Sequence, residues 1–436
     1  MSTPAVTSSA PLAPVSTIKT SLATPALIVG LIGLAVATIG LIGGISTGDG
    51  RAAMSWLIGF SFWFSTAIGV LFLVMIFYIF DAGWPVVIRR TMEHMLAVFP
   101  WLALIFLPLL LIGLGLFGQD ASGILWKWMN LNKEIVGGGT VGEDVLYLNK
   151  APYLNLPFFT IRVIGYFALF CGLAWLLRRS SFGMDTDPNP ARVHAARKVS
   201  AIGIILAAMA TSFAAFDFYM SISYHWFSTM YGVWFFSASM RAGLAIVVIA
   251  CFILAAKGPL KGLYNRAHRY NLGCLCFAFT VFWAYISFSQ YFLIYNANIP
   301  EETFWYNIRE LNANWSPNSW WFVSLFGLVL CYFLVPFLYL LFYNNKVTSG
   351  RLLFICCWIL FFHLIDLYFN ILPTQKPYDG NVVGYKVQEF IPTIFDLASL
   401  VGIGGICVWA FLRSLKKTEI IPIHDPRIEE SIHYHE

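Results

Sequence analysis

The stretch GRLLFICCWILFFHLIDLYFNIL, residues 350–372, decides the fold of this chain. It is almost entirely apolar and longer than the roughly 20 residues that one helix needs to cross a membrane. It also holds His363 and Asp366. An ionisable group at the centre of a membrane helix costs roughly 2.5–3.5 kcal/mol even on a lenient scale, so each needs a partner, water or a task. The stretch therefore predicts a membrane helix that carries polar residues for a reason.

The composition of the whole chain agrees with this interpretation. Hydrophobic residues make up 59% of the sequence and charged residues only 11%, whereas an ordinary soluble domain has about 25% charged residues. The formal net charge of +5 is not gathered into a basic tract of the kind that binds nucleic acid. The sequence therefore predicts an all-α integral membrane protein that contacts lipids and no nucleic acid.

Nine other apolar runs of spanning length accompany this one. The ten runs cover about 25–45, 54–80, 91–117, 156–178, 198–222, 231–256, 270–296, 319–343, 350–372 and 388–413. Residues 1–22, rich in Ser, Thr, Ala and Pro, are predicted to be a disordered arm. Residues 23–413 then form a ten-helix membrane domain, and residues 414–436 form a cytoplasmic tail. Because ten is even, both termini are expected on one side of the membrane.

The distribution of Lys and Arg indicates which side that is. Basic residues are concentrated in the loops on the side of the termini: Arg89, Arg90, Arg178, Arg179, Arg192, Arg197, Lys198, Lys257, Lys261, Arg266, Arg269, Lys346 and Arg351. The opposite loops hold fewer basic residues and most of the loop acids. Cytoplasmic loops carry the excess of positive charge. Both termini are therefore predicted to be cytoplasmic.

The spacing of the long loops suggests an internal duplication. Long outer loops, about 118–155 and 297–318, follow the third and seventh helices, and Arg-rich inner loops flank both. This register predicts a repeat of four helices, about 54–222 and 231–372, whose two copies have the same orientation in the membrane. We therefore expect two four-helix bundles, with the first and tenth helices at the periphery.

The ionisable residues in the spans collect from the middle of the membrane outward. They are Arg162, Asp217, Arg241, His363, Asp366 and Asp396, with His225 at the outer interface. Asp396 is expected about nine residues deep in the tenth helix. Asp217 with Arg241 could form an ion pair, and His363 with Asp366 could hold helices together through hydrogen bonds. The alternative is a proton relay or the polar wall of a quinone pocket, since the pKa of His is near neutrality.

Fewer ionisable groups lie near the inner surface. Asp81, Glu93 and His94 could admit protons from the cytoplasm, or they could pair with Arg89 and Arg90 at the lipid headgroups. The histidines do not suggest haem, because His94, His225 and His363 lie at three different depths. Neither a metal-ligand spacing nor a phosphate loop is visible. We therefore expect this chain to bind no cofactor of its own.

Five segments carry a resemblance to a known family. They are 84–93 (WPVVIRRTME), 150–167 (KAPYLNLPFFTIRVIGYF), 212–232 (SFAAFDFYMSISYHWFSTMYG), 284–309 (AYISFSQYFLIYNANIPEETFWYNIR) and 363–373 (HLIDLYFNILP). They resemble the polysulfide-reductase-type (NrfD-like) membrane subunits of bacterial alternative complex III. That complex contains two such subunits. The short N-terminal arm and the motifs KAPYLNLPFF and HLIDLYFNILP are more similar to the second, smaller copy.

The resemblance implies a subunit of a quinol:cytochrome c oxidoreductase in a bacterial inner membrane. Implied partners are a second NrfD-like membrane subunit, an iron–sulfur subunit, multihaem and monohaem cytochrome c subunits, and a terminal oxidase. Haem c and iron–sulfur clusters would lie in those partners, and the substrate would be a quinol such as menaquinol. The quinol site is usually assigned to the larger copy. The family architecture is two four-helix bundles with two peripheral helices.

Carried over to this chain, the resemblance makes the deep polar residues candidates for a proton path or a quinone cleft. These are Arg162, Asp217, His225, Arg241, His363, Asp366 and Asp396, with Asp81, Glu93 and His94 as the cytoplasmic entry. Two other functions stay open. One is a purely structural anchor of the complex, and the other is a secondary transporter, which would be expected to show matching broken helices in its two halves. The outer loops are expected to dock the haem subunits.

Overall fold

The computed structural model describes residues 22–135, 138–256, 258–312, 316–377, 385–387, 389–416 and 418–434. The predicted disordered arm, 1–22, lies outside these ranges apart from Leu22. Within them, ten helices are long and apolar enough to cross a membrane. The prediction of an all-α integral membrane protein with about ten spanning helices is thereby confirmed.

The spanning helices are labelled α1 to α10 in chain order. They are α1 Ala23–Thr47, α2 Arg51–Ile79, α3 Val86–Gly113, α4 Leu156–Gly183, α5 Ala191–Ser223, α6 Met230–Ala256, α7 Arg266–Ala297, α8 Ser319–Leu341, α9 Ser349–Ile371 and α10 Ile394–Leu415. A two-stranded antiparallel sheet, β1 Gln375–Pro377 and β2 Tyr385–Val387, lies between α9 and α10. The start of α10 differs from the predicted 388. This difference moves Asp396 from mid-membrane to the first turn of the helix.

The helices associate in two groups that meet through α2 and α6. Helices α2 to α5 contact one another, as do α6 to α9, while α1 and α10 pack together at the side of α2. The two groups come into backbone contact at Gly69 of α2, where an added Cβ would clash with the carbonyl oxygen of Ser239 on α6. In a lipid environment the hydrophobic effect does not drive helices together, and small residues favour their association by letting the backbones come close. The internal sequence repeat stays a prediction.

Helices α1 and α10 also approach through glycines. A Cβ built on Gly33 would lie 2.6 Å from the Cα of Gly402, so the two backbones are in direct contact. This contact explains how the peripheral pair is held. The GIGG stretch at 402–405 therefore has a packing role.

Helix α8 is wound unusually over most of its length. Residues Val323–Leu334 form a π-helix between two α-helical segments, Ser319–Phe322 and Val335–Leu341. Such windings are rare and often found at functional sites. The wider turns set the position of Tyr332, which lies at the centre of the candidate site.

The C-terminal tail closes one end of the molecule, called here the tail end. Ile420 and Ile421 are buried, and the short helix Ile428–Ile432 packs against α3. The Ser431 hydroxyl donates to the Trp84 carbonyl (2.6 Å) in the turn between α2 and α3. The opposite end carries the long loops and is called the loop end. The segment predicted as a tail is thus packed on the fold.

Candidate functional site

The most deeply buried polar residues meet where the two helix groups join. Together they form what we call the central cluster: Ser65 on α2, Arg241 on α6, Trp283 on α7, Tyr332 on α8, and His363 and Asp366 on α9. Five different helices contribute to it. The cluster is the natural candidate site, because each of its ionisable groups is at most 1% exposed.

His363 connects three helices. Its Nε2 lies 2.8 Å from the Ser65 hydroxyl and its Nδ1 lies 3.3 Å from the Tyr332 hydroxyl. Its two hydrogen bonds therefore run to α2 and α8. The expectation of interhelical hydrogen bonds holds, but each residue bonds to a different helix.

Asp366 is buried without a cation beside it. Its carboxylate accepts hydrogen bonds from the Trp283 indole (3.1 Å) and the Asn370 amide (3.2 Å). Among the described residues no Lys, Arg or His lies within ion-pair distance of it. Arg241 is near enough to attract the Asp366 carboxylate electrostatically, but it forms no ion pair with it.

Arg241 is buried without an anion beside it. Its Nη2 donates to the Tyr332 carbonyl oxygen, and its guanidinium lies 3.9 Å from the centre of the Tyr332 ring. Its Nε and Nη1 have no hydrogen-bond partner among the described residues. A buried donor without an acceptor costs about 1–3 kcal/mol, and more when it is charged. Arg241 and Asp366 therefore form a buried but separated pair of charges.

The predicted ion pair between Asp217 and Arg241 is wrong. Asp217 is instead held by Arg162 of α4, with Nε–Oδ2 and Nη2–Oδ1 distances of 2.8 and 2.9 Å, and by the Tyr166 hydroxyl at 2.7 Å. The physical reason is that α4 packs beside α5 and presents Arg162 to it, while α6 turns Arg241 toward α8. Asp217 is therefore fully paired.

Asp396 is also fully paired, at the loop end. Arg51, the first residue of α2, binds it with both nitrogens at 2.9 and 2.6 Å. The carboxylate also accepts from the backbone of Thr393, which completes a capping box at the start of α10. The prediction of a deep carboxylate is wrong for this reason: the helix starts only at Ile394. Sequence reasoning counted Arg51 as a loop residue and missed its role.

His225 pairs with a loop acid. Its Nε2 lies 2.5 Å from Asp144 Oδ2, which also accepts from the Tyr224 hydroxyl at 2.7 Å. Burial acts to raise the pKa of Asp144, but the hydrogen bonds from His225, Tyr224 and the Leu146 amide outweigh it, and the pKa is lowered. His225 thus fixes the 118–155 loop to the end of α5.

Arg309 ties the second loop to the membrane domain. It is buried and donates to three carbonyl oxygens, those of Trp305, Phe369 and Asn370, at 2.7, 2.9 and 3.1 Å. Burial lowers its pKa to about 9. Sequence reasoning did not identify this residue, because Arg309 lies in a polar segment outside the predicted spans.

Glu93 lies at the tail end in a closed polar pocket. It accepts from Tyr78 (2.7 Å) and from the Ser181 hydroxyl, and its oxygens lie 3.4 Å from the Nε atoms of Arg89 and Arg90. This is the arginine pairing considered as the alternative to proton entry. A role in proton entry stays a prediction.

Asp81 and His94 do not join this pocket. Asp81 forms ion pairs with Arg197 and Arg427 on the surface turn. His94 Nδ1 lies 2.8 Å from the Ser414 hydroxyl at the end of α10. The alternative in which these two pair with Arg89 and Arg90 is therefore wrong for them, because α5, α10 and the tail supply other partners. Arg89 bonds instead to Asp425 of the tail, a residue not considered from the sequence.

Comparison with known proteins adds no identification. No protein-family profile matches the sequence, and no curated protein matches it. In the part of the chain that the structure describes, no group of three or more His, Cys, Asp or Glu could hold a metal ion. Fold and site together define a ten-helix membrane protein with a separated buried charge pair at the junction of its two helix groups.

Proposed function

We propose that this chain is a non-redox membrane subunit of a quinol-oxidising electron-transfer complex. In this proposal it lies in a bacterial inner membrane with both termini cytoplasmic. It supplies a proton path and a scaffold, and electrons pass through haem c and iron–sulfur clusters in partner subunits to cytochrome c or an oxidase. The five motifs quoted above support the family, and the grouping of α2–α5 and α6–α9 agrees with its architecture.

The observation that carries the proton path is the separation of Arg241 from Asp366. Two buried charges that could neutralise each other directly would form a structural pair. Here the carboxylate has only neutral donors and the guanidinium has two nitrogens without partners. Buried polar groups of this kind are usually satisfied by internal water. Water between Arg241 and Asp366 would give a carboxylate that can take up and release a proton.

The hydroxyl groups of α2 suggest the direction of the path. Ser55 and Ser61 lie between the loop end and the central cluster, and Thr66 follows Ser65 of the cluster. From Thr66 to Tyr78, at the tail end, the helix carries only apolar residues and glycine over about 18 Å. The central cluster is therefore better connected to the loop end. Protons released there would leave on the side that the loop charges assign to the outside.

A scaffold role is favoured for the two paired carboxylates. Asp217 and Asp396 are each held by an arginine in a two-point contact and also by other donors. Their charges are compensated, so proton exchange would break a formed pair. We therefore assign these residues to helix association and assign quinol oxidation itself to the partner membrane subunit.

Replacing Asp366 in the reconstituted complex tests this proposal. Asp366→Asn keeps the size of the side chain and one acceptor oxygen for Trp283 or Asn370, but it cannot carry a proton. We expect proton release per electron to fall and turnover to drop by about 100-fold, the lower end of what a positioned acid or base contributes. Glu310→Gln, on a loop carboxylate that accepts from Tyr295, is the matched control and should leave both unchanged. Normal turnover in Asp366→Asn with a complex that dissociates in detergent would instead indicate a structural role.

A further inference from the structure

A cavity opens at the loop end beside the beginning of α4. Its volume is about 310 Å³, and its lining includes Lys150, Leu154, Phe216, Met220, Trp226 and Phe227. Helix α4 begins at Leu156, so the cavity lies at the boundary between the membrane and water. The Phe227 ring beside it is 52% exposed. The cavity is therefore within reach of lipid molecules.

Lys150 brings a positive charge to this cavity, and within the described ranges of the chain no acid forms an ion pair with it. Its Nζ donates to the carbonyl oxygens of Tyr224 (2.5 Å) and His225 (3.4 Å), which leaves one of its three N–H donors. The nearest acid, Asp144, is engaged by Tyr224 and His225. Burial lowers the pKa of Lys150, with Asp144 acting in the opposite direction. The ammonium would be stabilised by a further anionic acceptor.

Trp226 supplies a second donor. It is 1% exposed and stacks on Trp305 with ring centres 4.3 Å apart. Its indole N–H is buried and has no hydrogen-bond acceptor among the described residues. Leaving a buried donor unsatisfied is unfavourable, and native proteins usually fill such a need with a ligand or water. Two residues of the lining, Lys150 and Trp226, thus have N–H donors that lack an acceptor.

We propose that this cavity binds the phosphate of an anionic phospholipid. The phosphate accepts hydrogen bonds from Lys150 and Trp226, and an acyl chain lies along Phe216, Met220 and Phe227. A free phosphate ion offers the same acceptor chemistry, but the apolar walls favour a ligand with an apolar body. The site is separate from the central cluster, so it does not depend on the proposed function. A lipid there would brace the 118–155 loop against α5 and α6.

The test uses the purified full-length protein, depleted of lipid and titrated with phosphatidylglycerol while native mass spectrometry counts bound molecules. Lys150→Gln should weaken the tightest binding about tenfold or more, because a hydrogen bond to a charged group is lost. Trp226→Phe, which keeps the ring and removes only the N–H, should weaken it about threefold. Lys133→Gln is the matched control, since Lys133 belongs to the same loop and donates to the Gly123 carbonyl away from the cavity.

Three results would overturn the proposal. They are unchanged affinity in both cavity variants, equal loss in Lys133→Gln, and equal binding of phosphatidylcholine and phosphatidylglycerol in the wild-type protein. Competition by inorganic phosphate at equal concentration would assign the site to the free ion and overturn the lipid assignment. An unfolding temperature of Trp226→Phe within a few degrees of the wild-type value would show that the lipid affinity was measured on folded protein.

Discussion

The pairing of Asp217 with Arg162 predicts a large and specific loss of stability. Asp217→Asn keeps the shape of the side chain but leaves the buried guanidinium of Arg162 without its carboxylate. Removing one partner of a buried ion pair costs roughly 3–5 kcal/mol. The lower part of that range applies here, because Asp217 is fully buried and held at two points but Arg162 is only partly buried. Arg162→Gln should cost a similar amount.

A double-mutant cycle measures the interaction itself. With both residues replaced, no charge is left unpaired, so the double variant should regain about 1–3 kcal/mol relative to the sum of the single variants. The assay is reversible unfolding of the reconstituted protein by detergent denaturation, with turnover of the complex measured on the fraction that stays folded. We expect the changes in unfolding free energy of the two single variants to be far from additive in the double variant. Turnover per folded complex should be unchanged. A stable Asp217→Asn protein that has lost turnover would refute the reasoning, since it would place Asp217 in the proton path.

Three further predictions concern other contacts. The pKa of Asp144 is lowered in the folded protein, so its pairing with His225 stabilises the 118–155 loop fully at pH values above the unfolded pKa of about 4. This stabilisation is lost as the pH falls through the lower pKa of the folded state. Proteolysis of the loop should therefore rise on acidification, and His225→Gln should remove most of this pH dependence. Gly402→Val should push α10 away from α1 and cost about 1–3 kcal/mol, seen as slower cysteine cross-linking between the two helices. Asp425→Asn should free the tail from Arg89 and raise its rate of proteolytic cleavage, while an unchanged rate would show that the apolar contacts of the tail suffice.

The number and type of the helices could be predicted because hydropathy is a local property of the sequence. Each spanning helix needs its own apolar run, and these runs are long. The predicted start of α10, at about residue 388, is wrong although the sequence contains a helix-start motif. Thr393 and Asp396 have the spacing of a capping box, and Pro392 disfavours helix before it. That motif would have placed Asp396 at the helix end.

The partners of the buried groups could not be predicted in the same way. Which residue meets Asp217 depends on the rotation of α4 and α5 about their axes, and hydropathy alone does not fix that rotation in a helix surrounded by apolar contacts. The π-helix in α8 shifts Tyr332 relative to an ordinary helix, so its contact with Arg241 follows from tertiary structure. The position of His363 and Asp366 within α9 was predictable, but the position of Asp396 and the pairing of the buried groups were not.

The most direct test of the central claim is to purify the complex from native membranes through an affinity tag at the N-terminus, because the tail is packed against the fold. The account predicts that c-type haem co-purifies with this chain and that the sample transfers electrons from quinol to cytochrome c in an inhibitor-sensitive reaction. A pure isolate without haem and without quinol oxidation would contradict it.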